Sequence, residues 1–250
     1  PDGWGIGYYP GGEPAAAVIK HGNPCGIGYG ADSGAALAAA WRSDPVSAYG
    51  SVVALNQPAD AAVAAFLAKK FVELLVAPGY LPGVEAQLAQ KGKLRLLVLP
   101  SPGEWRAPRR LRSVGPLLLV QDEDSSLAPA SAWRLVAGSP PDGETLRDLE
   151  RAWRAVKHVK SNAIVVWKGA HLLGAGAGQT SRVDSCRIAV AKARELGHEL
   201  AGAVAAVAGR RSAMAIACHL GGVRPCWRPT DLPAGGVRTS LAHRSRPTSQ

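Results

Sequence analysis

The sequence predicts an α/β sandwich. Short apolar runs alternate with segments of helical periodicity, and glycine, proline and Asp-Pro breaks separate them. An all-β fold would lack the helical periodicities, and a bundle would lack the short apolar runs.

Residues 15–19 (AAAVI) read as a buried strand entering a polar turn, KHGNPCG, with Gly22, Pro24 and Gly26 as turn formers. Residues 31–42 are small and helical, and Asp44-Pro45 ends them. Residues 51–55 (SVVAL) are a second strand. Residues 60–71 form an Ala-rich helix with Val63, Leu67 and Lys70, then Leu74, near one face. Strands follow at 74–77 and 94–99. Residues 100–113 read as a Pro- and Arg-rich connector, 117–120 as a strand and 122–143 mostly as loop. Leu146, Leu149, Trp153 and Val156 then mark an amphipathic helix. Residues 163–167 are a strand, and a glycine-rich turn covers 174–178. A last amphipathic helix places Val183, Cys186, Val190 and Ala193 on one face. The strand–polar turn–helix unit thus occurs twice. After about residue 205 no sustained period remains, apart from a possible element within 213–220.

The chain of 250 residues can bury a sizeable core. No apolar run reaches the ~18 residues of a membrane helix, and no signal-peptide pattern opens it. Cys25, Cys186, Cys218 and Cys226 form no C-x-x-C pair, so a reducing cytoplasm fits better than a disulfide scaffold. Net charge is +10, but residues 201–250 hold seven Arg and one acid and supply +6 of it. The basicity belongs mainly to the tail, which weakens a nucleic-acid reading of the whole chain, and no aromatic stacking platform supports one.

Five segments carry chemistry. VIKHGNPCG (18–26) presents Lys20 and His21 at a glycine turn. Histidine accepts protons near neutral pH, and an adjacent cation can tune it or stabilise an oxyanion. An exposed lysine beside a turn histidine is the plainer alternative. SDPVSAYGSVVALN (43–56) carries Tyr49 and Gly50, FVELLVAPGY (71–80) carries Glu73, and VKHVKSNAIVV (156–166) carries Asn162. Glu73 on its own reads as a surface carboxylate at a helix end, and Asn162 as a turn or cap residue. GAGAGQTSRVDSCRIAVAKA (174–193) opens with alternate glycines that could cradle an anion at a helix N-terminus. Its spacing is not the dinucleotide G-x-G-x-x-G.

Together, and in this order, the five segments resemble the AICAR formyltransferase domain of the bifunctional purine biosynthesis proteins. The resemblance covers roughly residues 14–205. Tyr49 stands for the family's Phe, Ser51 for a Gly and Thr180 for a Met. The resemblance implies a cytidine deaminase-like fold of two α/β/α units, here 1–112 and a partial 113–205, followed by a basic tail at 206–250. It implies formyl transfer from 10-formyltetrahydrofolate to AICAR in purine biosynthesis. Lys20, His21 and Asn162 would be catalytic, and Asn23, Tyr49, Gly50, Glu73, Gln179, Ser181 and Arg182 would bind substrate. It also implies a homodimer and chemistry without a metal. The H-x-E and P-C-x-x-C zinc motifs of deaminases do not occur.

The family's Arg-Tyr-Gly-x-Asn-Pro-His-Gln, Ser-Asp-Ala-Phe-Phe-Pro-Phe and Gln-Pro-Gly-Gly-Ser blocks are missing, and nothing resembles its cyclohydrolase domain. The Arg-, Pro- and Ala-rich tail fits an out-of-frame read beginning near 205–207. Two alternatives stay open: a fragment that binds nucleotide or folate without turnover, and a basic nucleic-acid-binding protein.

Overall fold

The computed structural model describes residues 12–99, 109–122, 129–137 and 139–208, and the strand backbones at 214–216, 226–229 and 240–243. In chain order the elements are β1 (Ala15–Lys20), β2 (Asn23–Tyr29), α1 (Ser33–Ser43), β3 (Ser51–Leu55), α2 (Ala61–Leu67), β4 (Val72–Ala77), α3 (Val84–Ala89) and β5 (Arg95–Val98). They continue with β6 (Arg109–Val114), β7 (Leu117–Asp122), β8 (Trp133–Ala137), α4 (Gly143–Lys157), β9 (Ala163–Lys168), β10 (His171–Gly176), α5 (Arg182–Glu195) and β11 (Val204–Ala208). Three short strands close the series: β12 (Met214–Ile216), β13 (Cys226–Pro229) and β14 (Ser240–His243).

The main sheet runs β5-β4-β3-β1-β2-β10-β9-β11-β12-β13-β8. β3, β4 and β5 pair in parallel, and the other neighbours are antiparallel. β6, β7 and β14 make a separate small sheet.

Helices cover both faces, which explains why β1 and β9 are apolar without alternation. Ala16, Val18, Val53 and Leu55 pack with Leu37, Val63 and Leu67 under α1 and α2. Ile164, Val166 and Val207 pack under α5 on the same side. On the opposite face Ala17, Ile19, Val165, Trp167 and Ala206 meet Leu149, Trp153 and Val156 of α4. Asp142 starts α4 by accepting the Thr145 N–H at 2.8 Å, and the predicted apolar stripe is its buried face. The architecture is an α/β/α sandwich.

The main sheet contains two ββαβ units, β1-β2-α1-β3 and β9-β10-α5-β11. They meet side by side where β2 pairs with β10, at Gly28 and His171. In each unit the first strand pairs with both its hairpin partner and the strand after the helix. Alternate glycines let each helix sit against its strand. A Cβ at Gly26 would lie 2.0 Å from the Ala40 carbonyl oxygen, and one at Gly176 only 1.9 Å from that of Ser185.

Several expectations need correction. KHGNPCG is not one long turn: β2 begins at Asn23, leaving His21-Gly22 as a two-residue turn. Leu74 lies on β4, not on the preceding helix face, because α2 stops at Leu67. Arg109–Val114, inside the expected connector, is a strand, as is Trp133–Ala137 inside the expected loop; each gains backbone partners from a neighbour. Gly174 and Gly176 belong to β10 and serve helix packing rather than a turn. The buried face of α5 is Ser185, Ala189 and Ala193, while Val183 and Cys186 are exposed. Three small side chains at i, i+4 and i+8 fit against glycines, a stripe that hydrophobicity alone does not mark. Regular backbone past residue 205 extends beyond the expected 213–220 element to β13 and β14. These segments are strands by pairing with existing edges, not by composition. Residues 100–108, 123–128 and the rest of the tail lie outside the described residues.

Candidate active site

β1 ends at Lys20 and β2 starts at Asn23, which are cross-strand partners. The turn between them has positive φ at both central residues, 52° at His21 and 77° at Gly22. That is the type I′ geometry whose twist matches paired strands. Glycine adopts it without strain, and histidine is among the side chains that tolerate it better. The result is an exposed His21 at the hairpin tip, beside a half-buried Lys20. Lys20 Nζ donates to the Tyr49 carbonyl oxygen at 2.7 Å, tying the hairpin to the loop before β3.

Tyr49 is 65% exposed and stacks at a tilt on Phe71, so its extra hydroxyl reaches water. Gly50 has φ 69° and donates its N–H to the Phe71 carbonyl at 2.9 Å. Ser51, the other departure from the family pattern, is buried in β3 and is not a positive-φ position, so a side chain is accepted there.

The second half of the site forms where β9 begins and β10 ends. Asn162 Nδ2 donates to the carbonyl oxygens of Gln179 at 3.0 Å and Thr180 at 2.8 Å. Backbone bonds run both ways between Asn162 and Gln179. Ser185 Oγ donates to the Asn162 carbonyl at 2.9 Å. Thr180 contributes its carbonyl here, which is why a Met-to-Thr difference leaves this arrangement possible. Ser181 is the N-cap of α5 and accepts the Val183 N–H at 3.2 Å. Arg182 is exposed in the first turn.

A side-chain contact ties the hairpin to the Asn162 segment. Asn23 Oδ1 accepts the Lys160 N–H at 3.2 Å, across 137 residues of sequence. Lys20, His21, Asn23, Tyr49 and Gly50 therefore share one end of the sheet with Asn162, Gln179, Ser181 and Arg182. Glu73 is apart from them: it is an exposed residue of β4, not at a helix end, and no described contact links it to the others. An exposed imidazole beside an ammonium can take a proton and stabilise negative charge. Nearby Cys25 is a poor nucleophile. Burial, then the Asp44 charge, pushes its thiol up to about 11, and Sγ contacts the Val18 carbonyl oxygen at 3.4 Å. Among the described residues no group of three or more His, Cys, Asp or Glu side chains is arranged to hold a metal ion. No described helix is long and apolar enough to cross a membrane.

The sequence model of the AICARFT/IMPCHase bienzyme matches residues 8–192. The chain belongs to the AICARFT/IMPCHase bienzyme family. Similar curated proteins are each named bifunctional purine biosynthesis protein PurH. That of Acidithiobacillus ferrooxidans is 42% identical over 78% of this chain and 37% of its own length. That of Synechococcus is 45% identical over 76% and 36%, and that of Desulfitobacterium hafniense 44% over 72% and 35%. The chain thus spans little more than a third of the curated relatives it matches. Among solved structures, Acinetobacter baumannii RibD, form 1, overlaps 38% of the chain at TM-score 0.30 and 16% identity, too little to carry an argument.

Two groups in this bienzyme-family chain escape a motif-by-motif reading. Asp44 reads as a helix-ending Asp-Pro turn, and Lys192 carries no reading of its own within the 174–193 segment. In the fold they form an ion pair beside the Tyr49 loop. Only the repeat of the strand–turn–helix unit hints that the two helix ends lie side by side.

Proposed function

We propose that this chain carries out folate-dependent formyl transfer from 10-formyltetrahydrofolate to AICAR, a step of purine biosynthesis, in the cytoplasm. The Asn23–Lys160 contact carries the reading, because it sets the Lys20-His21 turn beside the Asn162–Arg182 segment. Membership of the AICARFT/IMPCHase family supports the choice of substrates.

In this reading the 5-amino group of AICAR attacks the formyl carbon of the folate. His21 takes the proton released from that amine. Lys20 keeps one N–H on the Tyr49 carbonyl and has two others to stabilise the tetrahedral oxyanion. His21 returns that proton to the folate nitrogen as its C–N bond to the formyl carbon breaks, giving formyl-AICAR and tetrahydrofolate. Both Asn162 Nδ2 hydrogens are occupied by backbone carbonyls. Its Oδ1 is therefore the group that orients the carboxamide, by accepting an N–H from it. Gln179, Ser181 and Arg182 line the nucleotide and folate side, and Glu73 is a weaker member of the substrate-binding set.

The proposal includes a homodimer and a division at about residue 112, in keeping with the two ββαβ units. It also keeps 206–250 as a tail outside the family pattern. The test is direct: incubate the chain with AICAR and 10-formyltetrahydrofolate and follow tetrahydrofolate release. Transfer supports the reading, and ligand binding without transfer would make the chain a binding fragment instead.

A further inference from the structure

Lys192 and Asp44 lie 148 residues apart in sequence and meet at the end of α1. Asp44 is buried, with 5% of its surface exposed, and Lys192 reaches it from the last turn of α5. Asp44 also folds the loop that follows it. Oδ1 accepts the Ser47 N–H at 2.9 Å, Oδ2 accepts the Ser47 hydroxyl at 2.6 Å, and the Asp44 carbonyl accepts the Ala48 N–H at 3.1 Å. Lys192 Nζ lies 3.3 Å from the same Ser47 hydroxyl. The next residue after Ala48 is Tyr49, whose carbonyl holds Lys20 Nζ.

We propose that the Lys192–Asp44 ion pair is a positioning device that sets the Lys20 ammonium through the Asp44–Tyr49 loop. α5 also begins at Ser181 and Arg182, so one helix would fix both the hairpin lysine and the second half of the site. The proposal rests on the formyl-transfer reading for its consequence in catalysis, but its structural core does not.

The physical case is a comparison of roles. A buried carboxylate without its cation carries an uncompensated charge, so the loop holds this shape only while Lys192 is present. The capping contacts of Asp44 are local and would survive in many loops. A cation from the second ββαβ unit is not needed for such a turn. Its presence makes the loop conformation depend on where α5 sits. The equivalent lysine of the second unit, Lys168, is held by the Ala201 carbonyl at 2.7 Å, and among the described residues no remote ion pair braces that loop.

The test measures Lys20 itself. The full chain and the variants Asp44→Asn, Lys192→Met, Lys192→Arg and Asp44→Asn/Lys192→Met are trace-labelled with acetic anhydride, and peptides are read by mass spectrometry. Lys20 labelling rises by about fivefold in Asp44→Asn and in Lys192→Met, the factor a lost hydrogen bond gives. The double variant matches the singles because they act as one unit, and Lys192→Arg returns to the wild-type rate. Lys168 labelling stays constant throughout. An unchanged Lys20 rate overturns the proposal, as does a joint rise at Lys20 and Lys168, which would mean general loosening. In the formyl-transfer assay kcat falls by about tenfold or more with KM little changed, the pattern of a misplaced group. A rise in KM at constant kcat overturns positioning. A wild-type chain with no transfer activity but the expected labelling pattern would refute the formyl-transfer reading and leave the coupling standing.

Discussion

Asn23 Oδ1 accepts the Lys160 N–H across the junction of the two ββαβ units. It is the described hydrogen bond that runs from the Lys-His hairpin to the segment carrying Asn162. The neighbouring β2–β10 pairing is recorded at Gly28 and His171, several residues away along the strands. Asn23→Ala should therefore cost about 1 kcal/mol of stability and lower formyl transfer by more than that loss implies. Urea unfolding beside steady-state kinetics checks it. Equal activity in the variant would remove the contact from the account.

Gly176 and Gly22 are required for different reasons, and alanine separates them. A Cβ at Gly176 meets the Ser185 carbonyl oxygen at 1.9 Å, so Gly176→Ala must push α5 off the sheet. It should destabilise by about 3 kcal/mol, at the upper end of overpacking costs. Gly22 has open space and a φ of 77°, so Gly22→Ala should cost only about 1 kcal/mol of backbone strain. Thermal or urea unfolding of both variants gives the ranking. A milder effect at Gly176 than at Gly22 would contradict the packing geometry.

His171 predicts a pH-dependent stability. Burial first, then the charges of Arg42 and His198, lowers its pKa from the ordinary 6.5 to about 4. The His198 ring packs edge-on at 5.3 Å. In the unfolded chain His171 binds a proton below about pH 6.5, whereas the folded chain resists one until about pH 4. The unfolded state then binds more protons, so stability is full above pH 6.5 and falls as pH drops toward 4. Because His171 is only partly buried, solvent screening holds the loss to about 2 kcal/mol. Urea midpoints measured from pH 7 to 4 should slope less in His171→Leu than in the wild type. Parallel slopes would contradict the assignment.

The sheet was largely legible because its inner strands are continuous apolar runs between turn residues. β1, β3 and β9 stand where AAAVI, SVVAL and AIVVW stand. α4 was legible because Leu149, Trp153 and Val156 face a core over a charged opposite side. α5 was misread: Ser185, Ala189 and Ala193 are small because glycines face them, while the more apolar Val183 is 57% exposed. β8 and β13 owe their conformation to one another across a long stretch of chain, which no local pattern records. The candidate site residues are legible as motifs, but their meeting at one end of the sheet follows from the β2–β10 junction and the Asn23–Lys160 contact, and the Lys192–Asp44 pair is wholly tertiary.

His21 gives the most direct measurement. Its side chain is exposed at the hairpin tip, so His21→Ala should leave the unfolding midpoint nearly unchanged. AICAR and folate binding should persist. The rate of formyl-AICAR formation should fall by about 10² to 10⁴, the usual worth of a general base. Full transferase activity in His21→Ala, with the fold intact, would contradict the account.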